Sequence, residues 1–365
     1  MKRKSKHKIE VLLAISDATI SPQLLEIIKC LKNNGVTQHV LITVKEDCPL
    51  LSGIEDLDVP FQIMPNLSKF GLLFRSIQIF FIIFSVRPKN FLASGQYATI
   101  SGIPPAFLLR VKNRIYIRHH SNFHHKYGMR MGVLVDIAMN FLSTKIVAVS
   151  SIVSNVLTER EFVSSEKVVL IYNGVDLKRF QKPTSVSKDR DDFFRIGVIS
   201  RLTELKGIEY TAKAFSDFNF RYPRSLLHII GASSDSLPKV LSILEKLSPE
   251  SYCIESINYD IPEFLHSIDV LVHVPLEPDD EAFGIVYIEA LASGTTGVFT
   301  ISGVLNELEN PDQYFAIVPS RDSSAIFKEL LQIHEGTNEF EKIPPAWINQ
   351  FAIESQGLAY LKLLS

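Results

Sequence analysis

The stretch "HVPLEPDDEAFGIVYIEALASG", His273 to Gly294, reads as the end of a strand, a polar loop, and an apolar helix closed by glycine. Glu289 sits inside the apolar run, and Glu281 lies in the loop eight positions earlier. A buried carboxylate without a partner is costly, so Glu289 needs either an internal partner or a ligand. Phe283, Gly284 and Ile285 form the expected first helical turn, where free N–H groups and the positive dipole end suit an anion. A carboxylate accepts two hydroxyl hydrogen bonds well, so a diol would satisfy Glu289, and Glu281 could hold further hydroxyls. The competing reading makes Glu289 part of a half-exposed helix face or an internal salt bridge, and Glu281 a solvated acid beside Asp279 and Asp280.

This strand–loop–helix unit is one of a series. "KIEVLLAIS", "VTQHVLITV", "KNFLASG", "RIYIRHH", "KIVAVS" and "KVVLIYNGVD" read as strands separated by helical segments such as "PQLLEIIKCLKNNG". "QKPTSVSKDRDD" then turns polar. A second series follows in "FFRIGVIS", "LLHIIGA", "YCIES", "DVLVHV" and "TGVFTIS", and "PAWINQFAIESQGLAYLKLL" closes with a helical pattern. Alternation of this kind predicts parallel strands with helices on both faces. The expected organisation is α/β, with two Rossmann-like doubly wound domains facing a cleft: residues 1–180, a linker at 181–192, a second domain at 193–345, and a helix at 346–365 packing back towards the first domain. Ligands of such sheets sit beyond the carboxyl ends of the strands.

The 365 residues suit two domains, and 46% hydrophobic with 21% charged content marks a globular chain. A net charge of -2 argues against nucleic acid as a partner. Cys30, Cys48 and Cys253 are far apart, which suggests neither a metal site nor a disulfide framework and fits a reducing compartment. The basic start, with Lys2, Arg3, Lys4, Lys6 and Lys8, is no signal peptide, because Glu10 interrupts the apolar run. It reads as a solvated tail or a contact for anionic lipid. Phe70 to Val86 is strongly apolar but interrupted by Arg75 and Gln78, so it reads as a core helix or one that dips into a membrane surface.

Two further stretches bear on chemistry. In "VISRLTELKG" a strand ends at Ser200, and Arg201 and Lys206 follow at a helix start. That arrangement suits a diphosphate: Arg forks onto two oxygens and Lys supplies a point charge. In "IYIRHHSNFHH", alternation places Ile115, Ile117 and His119 on one strand face, with His120 beside them. Four histidines in seven residues raise the question of metal, but adjacent pairs do not match helical ligand spacing.

Together these elements resemble the family 4 retaining glycosyltransferases of the GT-B fold, also called glycosyl transferases group 1, over nearly the whole chain. The resemblance rests on Glu281 and Glu289 in Glu-x7-Glu spacing with Phe283 and Gly284 between them, Arg201 with Lys206-Gly207, "NGVD" at Asn173 to Asp176 followed by Phe180, and the "RHH" strand end. It implies donor binding by Arg201, Lys206, Glu281, Phe283, Gly284, Ile285 and Glu289, with Glu289 on the nucleotide ribose and Glu281 on the donor sugar. It further implies His119 or His120 at the reacting sugar, with alternation favouring His119, His120 or Ser16 on the acceptor side, and transfer without metal or other cofactor. The substrate would be a UDP- or GDP-linked sugar and the acceptor a glycan or a lipid-linked one. The chain would work in the cytoplasm, with peripheral contact at the inner face of the membrane.

Two departures stand out. The first loop, "ISDATISP", lacks the family's usual glycines, and "ASGTTGV" has Thr295 and Thr296 where a proline is usual. The aspartates Asp189 and Asp191 match a metal-binding Asp-x-Asp but fall in the linker, where they read as solvated. A catalytically silent partner subunit and a nucleotide-sugar isomerase are the alternatives in the same fold.

Overall fold

A computed structural model of the chain describes residues 9–43, 48–64, 71–181, 192–231, 236–256 and 260–365. The basic tail, Phe70, Asp189 and Asp191 lie outside the described residues. The chain divides into two compact units, Met1–Val175 with Phe351–Ser365, and Asp176–Gln350.

The first unit holds a seven-stranded parallel sheet in the order β3-β2-β1-β4-β5-β6-β7. Its strands are β1 (Val11–Ser16), β2 (Gln38–Thr43), β3 (Phe61–Ile63), β4 (Asn90–Ser94), β5 (Asn113–Arg118), β6 (Lys145–Ala148) and β7 (Val168–Leu170). The central strands are buried on both faces, which is why "VLLAIS" reads as an unbroken apolar run. β5 ends at Arg118, so His119 lies just past the strand rather than within its alternation.

The second unit repeats the plan with β8 (Phe194–Ile199), β9 (Ser225–Ile230), β10 (Tyr252–Glu255), β11 (Val270–His273), β12 (Thr296–Phe299) and β13 (Ala316–Ile317), in the order β10-β9-β8-β11-β12-β13. Phe215 and Phe218, from the Ile208–Arg221 helix, pack with Leu227 and Ile229 in its core. In both sheets the order reverses at one place, beside β1 and β4 in the first and beside β8 and β11 in the second.

The closing segment is two helices rather than one. Pro345–Asn349 belongs to the second unit, and Ile353–Leu364 returns to the first and packs on the Pro22–Asn33 helix. Buried Phe351 separates them; its carbonyl accepts from Val175 N at 2.8 Å, and its ring meets Tyr172 edge-on at 5.0 Å. The "NGVD" element serves this seam. Gly174 O accepts from Gln23 Nε2 at 2.9 Å, Gly174 N donates to Gln356 Oε1 at 3.1 Å, and Asp176 caps the Leu177–Phe180 helix.

Candidate active site

In the second unit the chemistry gathers at the carboxyl ends of β8 and β11, where the strand order reverses. Lys206 lies in a short turn after β8, and Gly207 follows it as the cap of the Ile208–Arg221 helix. Gly207 has a φ of +64°, and a Cβ there would sit 2.2 Å from Val274 O, just past β11. Glycine therefore lets the two loops close on each other. Lys206 Nζ reaches Glu281 Oε1 at 2.5 Å and donates to Asp280 O at 3.1 Å. His273, the last residue of β11, approaches the same Glu281 oxygen through Nε2 at 2.8 Å. A buried lysine thus finds its counter-charge in the loop that the sequence marked.

The electrostatics follow from this geometry. Burial alone would raise the Glu281 carboxyl, but the His273 hydrogen bond and the Lys206 charge outweigh it and bring the pKa down to about 2. Burial lowers the His273 imidazole despite its acidic partner, so the ring is neutral at pH 7. Neutral His273 then donates from Nε2 and leaves a lone pair on Nδ1, which is buried and has no hydrogen-bond partner among the described residues. The ring is fixed edge-on to Tyr287 at 5.1 Å, and the Tyr287 hydroxyl lies 2.6 Å from Ser302 Oγ. The sequence did not single out His273. Its signal was its place as the final polar residue of an apolar strand.

Phe283 is buried, Gly284 caps the Ile285–Ser293 helix with no side-chain cap bond, and Glu289 lies on that helix, half-buried. Among the described residues no hydrogen bond or ion pair satisfies Glu289. Burial pushes its carboxyl up to about 7, with the charge of Arg179 pulling the other way. Arg201 stands exposed after β8 and makes no ion pair among the described residues. The structure therefore joins Lys206 and Glu281 directly and leaves Arg201 and Glu289 without an ion pair among the described residues.

In the first unit, His119 is exposed past β5 and its Nε2 lies 3.1 Å from Ser94 Oγ at the end of β4. Desolvation by the surrounding protein lowers its pKa to about 4. Solvent on the open side reduces the size of that shift, and its direction alone leaves the ring neutral at pH 7. His120 turns instead towards an ion cluster. Arg118 pairs with Glu161 at 2.6 Å and Asp136 at 3.2 Å, His124 Nδ1 meets Asp136 at 2.6 Å, and His120 Nε2 stands 3.6 Å from Asp136. Burial, then Arg118, lower His120 to about 3. His120, His124 and Asp136 have metal-like spacing, but the Arg118 guanidinium already supplies the cation there.

Ser16 closes local bonds. Its hydroxyl donates to Asp17 at 2.7 Å and accepts from Ala98 N at 2.9 Å, so it caps the Gln96–Leu108 helix. The glycine missing from this loop stands across from it: Gly95, with φ +95°, would place a Cβ 2.3 Å from Ser16 O. Asp17 also explains Arg75, whose buried side chain interrupts the apolar Gly71–Val86 helix and feels the Asp17 charge.

Two family profiles divide the sequence. Residues 21–179 match Glycosyltransferase Family 4, and residues 181–344 match Glycosyl transferases group 1. The chain belongs to this glycosyltransferase family. Solved structures agree on the GT-B fold of the glycosyltransferase. HepE of Anabaena, in complex with UDP and glucose, superposes with a TM-score of 0.81 at 19% identity, covering 97% of this chain and 99% of that one. Sucrose-phosphate synthase of Thermosynechococcus elongatus gives 0.67 at 16%, covering 97% and 94%. The UDP-GlcNAc 2-epimerase of Neisseria meningitidis gives 0.60 at 14%, covering 97% and 99%. Among curated proteins no sequence matches this glycosyltransferase.

Proposed function

We propose that this glycosyltransferase is a retaining, metal-independent enzyme that moves a sugar from a nucleotide-diphosphate donor to a glycan or lipid-linked acceptor, in cell-surface polysaccharide or glycoconjugate synthesis. The observation that carries the reading is the buried Lys206–Glu281–His273 group, with Glu289 eight positions after Glu281 lacking a hydrogen-bond or ion-pair partner among the described residues. The donor is a UDP-sugar in this reading, supported by the UDP that HepE binds.

Glu289 takes the ribose diol, and the free N–H groups of the Gly284-capped turn face the diphosphate. Arg201 swings onto the diphosphate, and Lys206 shares its charge between Glu281 and the phosphate. Glu281, kept ionised and held in place by His273, accepts from donor-sugar hydroxyls. The bond from the anomeric carbon to the diphosphate breaks with its electron pair going to phosphate oxygen. The acceptor oxygen bonds to the same face of that carbon, and its proton passes to the leaving phosphate oxygen. Lys206 and Arg201 stabilise the charge that builds there, the task a metal performs elsewhere. In this reading neutral His119 meets the reacting sugar, and the domain at 1–180 takes the acceptor while 193–345 takes the donor. The chain works in the cytoplasm, where nucleotide sugars are met, and reaches the inner membrane face when the acceptor is lipid-linked.

The test is release of UDP from UDP-sugars by the purified chain, with a thermal-shift screen across nucleotide sugars. UDP-sugars should stabilise the fold, and EDTA should leave turnover intact. Binding without turnover for every donor and acceptor would favour a silent partner subunit. Interconversion of the free nucleotide sugar would favour an isomerase.

A further inference from the structure

Three helices of the first unit, Gly71–Val86, Gln96–Leu108 and Arg130–Leu142, lie side by side, with Gln96–Leu108 in contact with both others. They follow β3, β4 and β5, and their inward positions, such as Ile79, Ile83, Ile103 and Met139, are buried. Their outward positions are apolar as well. Leu73 is 71% exposed, Phe81 63%, Leu108 68%, Leu134 58% and Phe141 75%. Burying such side chains is worth about 1.5–3 kcal/mol each, so a layer of them in water indicates a surface built to be covered.

The charges around the layer indicate what covers it. Between Asp58 and Asp136 the sequence has ten Lys or Arg residues and not one Asp or Glu. Asp136 itself is buried against Arg118 and His124. Arg87, Arg110, Lys112, Lys126 and Arg130 are exposed at the ends of these elements. The whole chain carries -2, so this is segregation of charge and not general basicity. A second copy of the same face would set cations against cations. An anionic lipid surface offers the opposite charge together with an apolar interior. No described helix is long and apolar enough to cross a membrane, so the contact is interfacial.

We infer that this three-helix layer docks on an anionic lipid bilayer, its apolar outer residues entering the headgroup boundary and its flanking cations meeting the lipid charge. The inference does not rest on the transfer reaction. It can fail while sugar transfer stands, and the reverse.

The test is flotation of the full chain with phosphatidylcholine vesicles, with and without phosphatidylglycerol, at low and high salt. Binding should need phosphatidylglycerol and weaken with salt. Leu73→Ser, Phe81→Ser, Leu134→Ser and Phe141→Ser combined should lower partition by about tenfold or more with the melting temperature unchanged. Should that variant fold poorly, Arg87→Glu, Arg110→Glu and Arg130→Glu combined should lower partition in its place. Unchanged partition in a folded variant would overturn the inference. Loss of binding on removing residues 1–8 alone would also overturn it, by assigning the contact to the tail. A dimer that the serine variant dissolves, with no vesicle binding, would show instead a face between copies of the chain.

Discussion

The first strand of each sheet runs into the same dipeptide, Ile15-Ser16 in one unit and Ile199-Ser200 in the other, and the next residue is Asp17 in the first and Arg201 in the second. Both units share a strand order and a reversal point, so one fold has been given opposite charges where ligands of such sheets bind. A carboxylate at that place repels phosphate, and a guanidinium invites it. The glycines differ in the same way. In the first unit the close approach comes from Gly95 after β4 onto the Ser16 carbonyl, and in the second from Gly207 after β8 onto the Val274 carbonyl. The tight junction is kept, with the glycine on opposite partners. The outer helices complete the contrast: among described residues of the second unit only Phe193, Phe220 and Ile301 are exposed large hydrophobics.

The sharpest way to break this division of labour is Lys206→Ala. Turnover should fall by about 10²–10³-fold, roughly 3–4 kcal/mol on the barrier, while vesicle partition stays the same. Wild-type turnover would remove Lys206 from the chemistry, and a parallel loss of partition would end the separation of roles.

Next come the paired glycines. Gly207→Ala and Gly95→Ala each force a Cβ against a carbonyl at a positive φ. Each should cost about 2–3 kcal/mol in denaturant titrations. An unmoved midpoint for either would show that its loop has room the geometry denies.

The third concerns Glu289. Its folded pKa of about 7 lies above the ordinary Glu value of about 4.3, so the folded state holds the extra proton between them. Stability without ligand should therefore fall as pH climbs through that window and then level off. Nucleotide affinity should move the opposite way, rising by up to about tenfold through pH 7 as the carboxylate forms. Calorimetry against Glu289→Gln separates this from titration of the nucleotide phosphate. The same pH slope in both proteins would detach Glu289 from the ribose.

The smallest effect contrasts surface with core. Phe141→Ser on the outer layer should change stability by under about 0.5 kcal/mol, whereas Phe215→Ala in the second core should cost about 3–5 kcal/mol. A large penalty at Phe141 would mean that the layer is already covered by the protein itself.

Much of this was readable in the sequence because central parallel strands are apolar on both faces, and such runs stand out between polar helices. Arg201 with Lys206 and Glu281 with Glu289 were readable through their spacing on two strand–loop–helix units, after β8 and after β11. Partnerships were not. Lys206 meets Glu281 from 75 positions away, and His273 joins them only because β11 ends beside that loop. β13 is two residues long, too short for alternation to show. The break at Phe351 carries no proline or glycine; it is set by tertiary pairing with Val175. His119 was assigned by alternation to a strand that stops one residue earlier.

The return of the chain at Phe351 bears on how the protein is made. The buried Asn90 side chain, at the foot of β4, donates to Leu364 O at 2.7 Å, and Lys89 reaches Ser365 O. A ribosome finishes β1 to β7 long before it reaches those carbonyls. The second unit can close while the first still waits, with the apolar flank of its Pro22–Asn33 helix open to whatever is nearby. Translation order makes the unit begun first the one completed last, and the nascent chain must be kept from aggregating until its final helix arrives.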